Sequence, residues 1–87
     1  MIDSITIKDL KSKLGELCKA KRQSYEMSQQ DLGDALGLSR YTIQKFESGK
    51  NATLDTVLKI ANHFGLLQSI FKGVNEAVNE QNDISLY

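Results

Sequence analysis

The sequence predicts an all-α domain of five helices, and three observations carry that prediction. Proline is absent and only six of the 87 residues are glycine, so little interrupts helical hydrogen bonding. Apolar residues recur at helical spacing through almost the whole chain, with scarcely any β-branched alternation. Thr6, Ser28, Ser39 and Thr53 precede four of the apolar runs, where a side-chain oxygen can cap the orphan amides of a first turn.

The elements follow in order. Thr6, with Asp9 three residues on, forms a capping-box-like start for helix one. Leu10, Leu14, Leu17 and Cys18 then share one face. Residues 23–27 break that pattern. Ser28 caps a short second helix over 29–36, with Leu32, Ala35 and Leu36 expected inside, and Gly37 ends it in a left-handed conformation. Ser39 caps a third helix over 40–48, anchored by Ile43 and Phe46 and stopped by Gly49. Thr53 caps a fourth, with Asp55 complementing the helix dipole and Leu54, Val57, Leu58, Ala61 and Phe64 as its core face. A fifth helix is expected over 66–79. Its stripe of Leu67, Ile70, Phe71, Val74 and Val78 serves either as core cover or as a dimer seam. Leu67 and Phe71 are assigned to the core and Ile70, Val74 and Val78 to the interface. The domain so defined covers residues 1–79, and residues 80–87 read as a polar tail ending in Ile84, Leu86 and Tyr87.

Composition bounds the function. A chain of this length forms one domain with a thin core, burying about 60% of its unfolded surface, and oligomerisation is a common remedy. One cysteine and one histidine allow neither an internal disulfide nor a four-ligand Cys/His zinc site. Cys18 lies on the apolar stripe of helix one and reads as core rather than as a reactive thiol. His63 falls in a last helical turn, where a cation suits the dipole. No nucleophile–base pair or glycine-rich phosphate loop is present, so neither an enzyme nor a cofactor is expected. No apolar run reaches the ~20 residues of a membrane span, and residues 1–4 lack the character of a secretory signal. A cytoplasmic protein without a membrane partner is the expectation. Net charge is zero, but residues 1–50 hold nine Lys/Arg against seven Asp/Glu, and residues 51–87 hold two against four. The N-terminal half is the better candidate to face phosphate.

Residues 28–48, SQQDLGDALGLSRYTIQKFES, carry the functional signal. Gly33 sits inside a helix at a cost of about 1 kcal/mol relative to Ala, which implies a close approach. Gly37 takes the turn, Leu38 fills the wedge, and the second helix of the pair is left projecting. A projecting helix can enter the DNA major groove, which is about 12 Å wide.

This stretch resembles the helix-turn-helix of the phage repressor and Cro family, the XRE family. The family pattern runs Ser-Gln-x-x-Leu-Ala-x-x-x-Gly-hydrophobic-Ser, then Ile, an aromatic or Leu, Glu and Gly. Ser28, Gln29, Leu32, Gly37, Leu38, Ser39, Ile43, Phe46, Glu47 and Gly49 match it, with Gly33 in place of Ala. TLDTVLKIANHFGL resembles the family's fourth helix, so the likeness covers about residues 8–67.

The resemblance implies a five-helix, phage-repressor-like fold and a role for each matched position. Arg40, Tyr41, Gln44 and Lys45 would read base edges. Ser28, Gln29, Ser39, Thr42, Ser48, Lys50 and Asn51 would contact the DNA backbone, and Gln29 would also brace the reading helix. Arg22 would pair with Glu47 as a structural ion pair. The implied protein is a transcriptional repressor, a homodimer on a palindromic double-stranded DNA operator. Residues 64–87 resemble antitoxins paired with HipA-type kinase toxins, which adds autoregulation and a HipA-like kinase as expected partner. A stand-alone phage-type regulator is the alternative. An alternative of another class is an interaction module that has lost DNA binding, which zero net charge and the acidic Asp31 and Asp34 keep open.

Overall fold

The computed structural model of the protein describes residues 4–85, with side chains through residue 82. Five helices follow one another: α1 (Ile7–Ser24), α2 (Gln29–Leu36), α3 (Arg40–Glu47), α4 (Leu54–His63) and α5 (Leu67–Ser85). No strand occurs among the described residues. No helix among them is long and apolar enough to cross a membrane. Residues 1–3, part of the segment read for a signal, lie outside the described residues, as do Leu86 and Tyr87 and the Ile84 side chain.

Local chemistry sets the helix starts. Thr6 and Asp9 form a reciprocal capping box, with the Asp9 amide donating to Thr6 Oγ1 at 3.0 Å and the Thr6 amide to Asp9 Oδ2 at 3.1 Å. Ser28 and Asp31 do the same for α2, both bonds being 2.9 Å. Hydrogen bonds to the ionised form hold both aspartates below the usual carboxylate range, mainly through the backbone amides of Thr6 and Ser28. Gly37 ends α2 with φ +70, in the left-handed region that glycine enters without a Cβ penalty.

The core gathers Cys18, Leu32, Ile43, Phe46, Ile60 and Phe64, with Leu14, Met27, Leu36, Leu38, Val57 and Leu66 packed around it. Each of α1, α2 and α4 turns a somewhat different face inward than the apolar pattern implies. In α1, Gly15 is buried against α3, where an added Cβ would stand 2.5 Å from the Phe46 carbonyl oxygen and 2.6 Å from that of Glu47. That crossing centres the contact line on Leu14, Gly15 and Cys18 and leaves Leu10 53% and Leu17 41% exposed. In α2, Gly33 rather than Ala35 is turned in, because the Leu38 carbonyl oxygen would stand 2.6 Å from its Cβ. The close approach is therefore to the turn and not to the body of α3. In α4, Thr56 and Ile60 are buried while Leu54 is exposed. Thr56 tolerates burial because the Thr53 hydroxyl donates to its Oγ1 at 3.1 Å.

The largest departure lies in α5. Leu66 packs on the core, its amide donating to the Ala61 carbonyl at 2.8 Å, and Ile70 stays half-buried. Beyond that first turn the helix leaves the bundle, and the long axis of the molecule measures 51 Å against 26 and 22 Å. Phe71, assigned to the core from the sequence, is 69% exposed, while Leu67, also assigned there, is 38% exposed. The helix also continues six residues past its expected end. Glu80 and Gln81 favour helix, and no glycine or proline stops it there. Residues 80–85 of the expected tail are therefore helical.

Candidate nucleic-acid interface

Helix α3 is eight residues long, too short to be stable by itself, so its position depends on what holds its ends. At the N-terminus, Ser39 Oγ accepts the Thr42 amide at 3.0 Å and lies 2.8 Å from the Thr42 hydroxyl. Ile43 and Phe46 insert into the core on the inner side. At the C-terminus, the Lys50 amide returns to the Lys45 carbonyl at 3.0 Å through Gly49, whose φ is +75. The Ser48 hydroxyl donates to the Gln44 carbonyl at 2.9 Å.

The strongest fastening is ionic. Arg22 Nε donates to Glu47 Oε2 at 2.6 Å and Nη2 to Oε1 at 3.0 Å, a two-pronged pairing between planar groups. Arg22 Nη1 also donates to the Met27 carbonyl at 2.7 Å, which ties in the loop ahead of α2. Gln29 Nε2 donates to Glu47 Oε1 at 3.1 Å. The ends of α1, α2 and α3 thus meet on one carboxylate. Burial pushes the Glu47 carboxyl up, but the hydrogen bonds from Arg22 and Gln29 and the Arg22 charge hold it below the usual range. The hydrogen bonds that Arg22 donates to Glu47 in turn raise the guanidinium above its usual value. Cys18 lies against the same carboxylate, its Sγ 3.8 Å from Oε2, and burial first, then the Glu47 charge, push its thiol up to about 12. A thiol in that state is a packing residue rather than a nucleophile.

On its outer side α3 presents Arg40, Tyr41 and Gln44 to solvent. Tyr41 is 65% exposed, and Lys45 Nζ lies 5.5 Å from its ring centroid, a cation–π arrangement that orders both side chains. Beside them a cleft of about 260 Å³ is lined by Tyr41, Thr42, Lys45, Asn51, Ala52 and Thr53, with Thr56 at its base. Arg40 and Lys50 have no side-chain partner among the described residues, which leaves their donors free for an anion or a base edge.

The structure brings Tyr41, Thr42, Lys45 and Asn51 together around one cleft. Among the positions expected to touch a DNA backbone, Ser28, Ser39 and Ser48 spend a hydroxyl interaction on capping or on a helix carbonyl. The Gln29 side-chain amide is held by Glu47, which links the start of α2 to the end of α3.

Sequence reasoning missed two contributors. Lys11 donates to the Asn51 side-chain oxygen and so fixes the loop after α3 from forty residues away. Nothing local in the sequence signals that contact. Gly15 is the second, and its signal was present. A glycine within an apolar helical stripe invites the same close-approach argument as Gly33.

Comparison with known proteins bears on this arrangement. A family model described as helix-turn-helix matches residues 19–67, which span the end of α1 through α4. A protein of Methanosphaerula palustris, provisionally described as an HTH-type transcriptional regulatory protein, is 43% identical over 58 residues, covering 64% of this chain and 19% of that protein. One of Methanoregula boonei with the same description is 41% identical over 58 residues, covering 64% and 18%. A third, from Methanocella arvoryzae, is 46% identical over 46 residues, covering 53% and 14%. The chain spans less than a fifth of the length of these curated relatives.

Proposed function

The chain belongs to the helix-turn-helix family, and on that premise we propose that it is a sequence-specific DNA-binding repressor of transcription that acts as a homodimer. The observation that carries the reading is an exposed α3, bearing Arg40, Tyr41 and Gln44, whose far end is clamped by the buried Arg22–Glu47 pair. A reading helix must be rigid, because base-edge hydrogen bonds are lost with small displacements.

In this reading α3 enters the major groove. Arg40 donates to guanine O6 and N7, Gln44 pairs with adenine N6 and N7, and Tyr41 packs on a thymine methyl with Lys45 beside it. Lys50 and the neighbouring Asn51 meet phosphate, as do Ser28, Gln29, Ser39, Thr42 and Ser48, which position the helix without specifying sequence. Two copies, joined through the distal face of α5 at Ile70, Val74 and Val78, set their reading helices about 34 Å apart on a palindromic operator. Occupancy there blocks polymerase. The relatives' description as transcriptional regulators supports the same class of activity.

The test is binding of the purified protein to its own upstream DNA at two salt concentrations, against scrambled competitor. A footprint on an inverted repeat that weakens with salt is expected. Arg40→Ala should cost about 10- to 200-fold at one base position, equivalent to ~1–3 kcal/mol, with circular dichroism unchanged. Lys50→Ala should weaken all sequences about equally and lower the salt slope by about one. If Arg40→Ala and Lys45→Ala both leave function intact, the chain is an interaction module instead. Whether the operator adjoins a kinase-like reading frame decides between an antitoxin and a stand-alone regulator.

A further inference from the structure

Two apolar surfaces of the monomer are left open. One is a cleft of about 150 Å³ between α1, α4 and the start of α5, bordered by Leu14, Leu17, Val57, Phe64, Leu66 and Ile70. The other is the ridge of Phe71, Val74 and Val78 on α5, with the three side chains 69%, 58% and 49% exposed. A closed apolar cavity of about 150 Å³ is large enough to accept benzene, so the cleft suits a single aromatic ring. Phe71 cannot fill it in its own chain. Its neighbour Ile70 already lines the wall, and the next residue on a helix points about 100° away.

The helix itself calls for a partner. Only its first turn is packed, and the remainder contains Gly73, Asn75, Asn79 and Asn82, all weak helix formers. A helix of this length and composition draws its stability from burying its apolar face. The charges indicate which surface buries it. Helix α5 carries Glu76 and Glu80 against Lys72, whereas α1 carries Lys8, Lys13, Lys19 and Lys21, among others, against Asp9 and Glu16. Placing α5 on α1 of another copy joins opposite signs, and placing α5 on α5 joins like ones.

We propose that the occupant is a second copy of this chain: Phe71 of one protomer inserts into the α1–α4 cleft of the other, and the exchange is reciprocal across a two-fold axis. Leu17, which lines the cleft, and Leu10, seven residues before it on α1, are left exposed by the monomer and are covered by the partner's Val74 and Val78. Residue i then meets residue j on both sides of the axis, as an isologous dimer requires. This deepens the dimeric reading above and rests on it. It replaces an α5-to-α5 seam with an α5-to-α1 one.

Cysteine pairing distinguishes the geometries. Leu17→Cys and Phe71→Cys are prepared as separate full-length variants, mixed, and treated with a short bismaleimide. Buried Cys18 remains in both as the background, measured with the unsubstituted protein. The proposal expects cross-linked dimer chiefly from the mixture, with little from either variant alone. Self-cross-linking of Phe71→Cys or Val74→Cys, with no mixed Leu17→Cys/Phe71→Cys species by mass in the mixture, overturns it in favour of paired α5 helices while leaving the dimer standing. A monomer by sedimentation equilibrium at micromolar concentration overturns both. As a second measurement, Leu17→Glu should raise the dimer dissociation constant at least thirtyfold with helicity unchanged. An unchanged constant overturns the proposal.

Discussion

Helices α3 and α5 solve the problem of standing out from a small domain in opposite ways. Helix α3 has eight residues and exposes an aromatic ring, yet its two ends and its inner face are tied to three other segments. Helix α5 has nineteen residues, and its packing on the bundle is confined to its first turn. The short helix is rigid because buried polar groups are fully matched around it. No buried side-chain nitrogen or oxygen among the described residues lacks a hydrogen-bond partner. The long helix is apolar where nothing in the monomer covers it. A projecting helix is thus held rigid where its polar groups are matched from within, and left open to a partner where its apolar face is not covered.

The largest expected effect lies at the clamp of α3. Arg22 and Glu47 side chains are 10% and 4% exposed, so Glu47→Ala leaves a buried guanidinium without its counter-charge. We expect a loss of about 3–5 kcal/mol, measured by urea denaturation, with a smaller loss for the double replacement Arg22→Met/Glu47→Leu. The double variant isolates the comparison, because it removes the charges together and keeps the volume. The pair also sets a pH dependence. Glu47 has a folded-state pKa below its unfolded one, so its contribution is complete above the unfolded value of about 4.3. The contribution is lost as pH falls through the lower folded value. Asp9 and Asp31, lowered by their capping boxes, act in the same direction. In Glu47→Gln the acid limb of the stability curve should flatten. An unaltered limb would mean that other carboxylates set the acid limit.

An intermediate effect is expected at Gly15. Its Cβ would stand 2.5 and 2.6 Å from two backbone oxygens of α3, neither of which can swing aside like a side chain. Gly15→Ala should destabilise by about 1–3 kcal/mol despite the better helix propensity of alanine, read as a lowered midpoint in thermal unfolding. A neutral result would show that α1 can shift on α3 far enough to make room for a methyl group.

These positions also mark how far the sequence was legible. The five helices, their caps at Thr6, Ser28, Ser39 and Thr53 and the Arg22–Glu47 pairing are local signals or matches to a motif, and the structure contains each of them. The buried faces were less legible. Close backbone approaches at Gly15 and Gly33 turn those glycines inward in place of larger apolar residues, and Thr56 is buried through a hydroxyl partner that hydropathy ignores. Phe71 was misplaced because periodicity reports which residues share a face, not whether the monomer contains anything to cover it. The same blindness hid Lys11, whose contact with Asn51 spans forty residues of sequence.

The smallest expected effect lies at Gly73, the counterpart of Gly15 on the projecting helix. Nothing stands within 4 Å of its would-be Cβ. Gly73→Ala therefore adds helix propensity without a clash, worth up to about 1 kcal/mol locally. The gain should be nearly invisible in global unfolding, because α5 beyond its first turn contributes little to the core. It should appear in hydrogen exchange, as about fivefold slower exchange of α5 amides, since 1 kcal/mol is roughly a factor of five. In the proposed dimer the effect should shrink, because a partner that covers Phe71, Val74 and Val78 would leave less fraying to suppress. Comparing the variant above and below the dimer dissociation constant therefore separates helix propensity from docking. Equal protection at both concentrations would mean that α5 is ordered without help from a second copy, and the contrast with α3 would then concern surface chemistry rather than order.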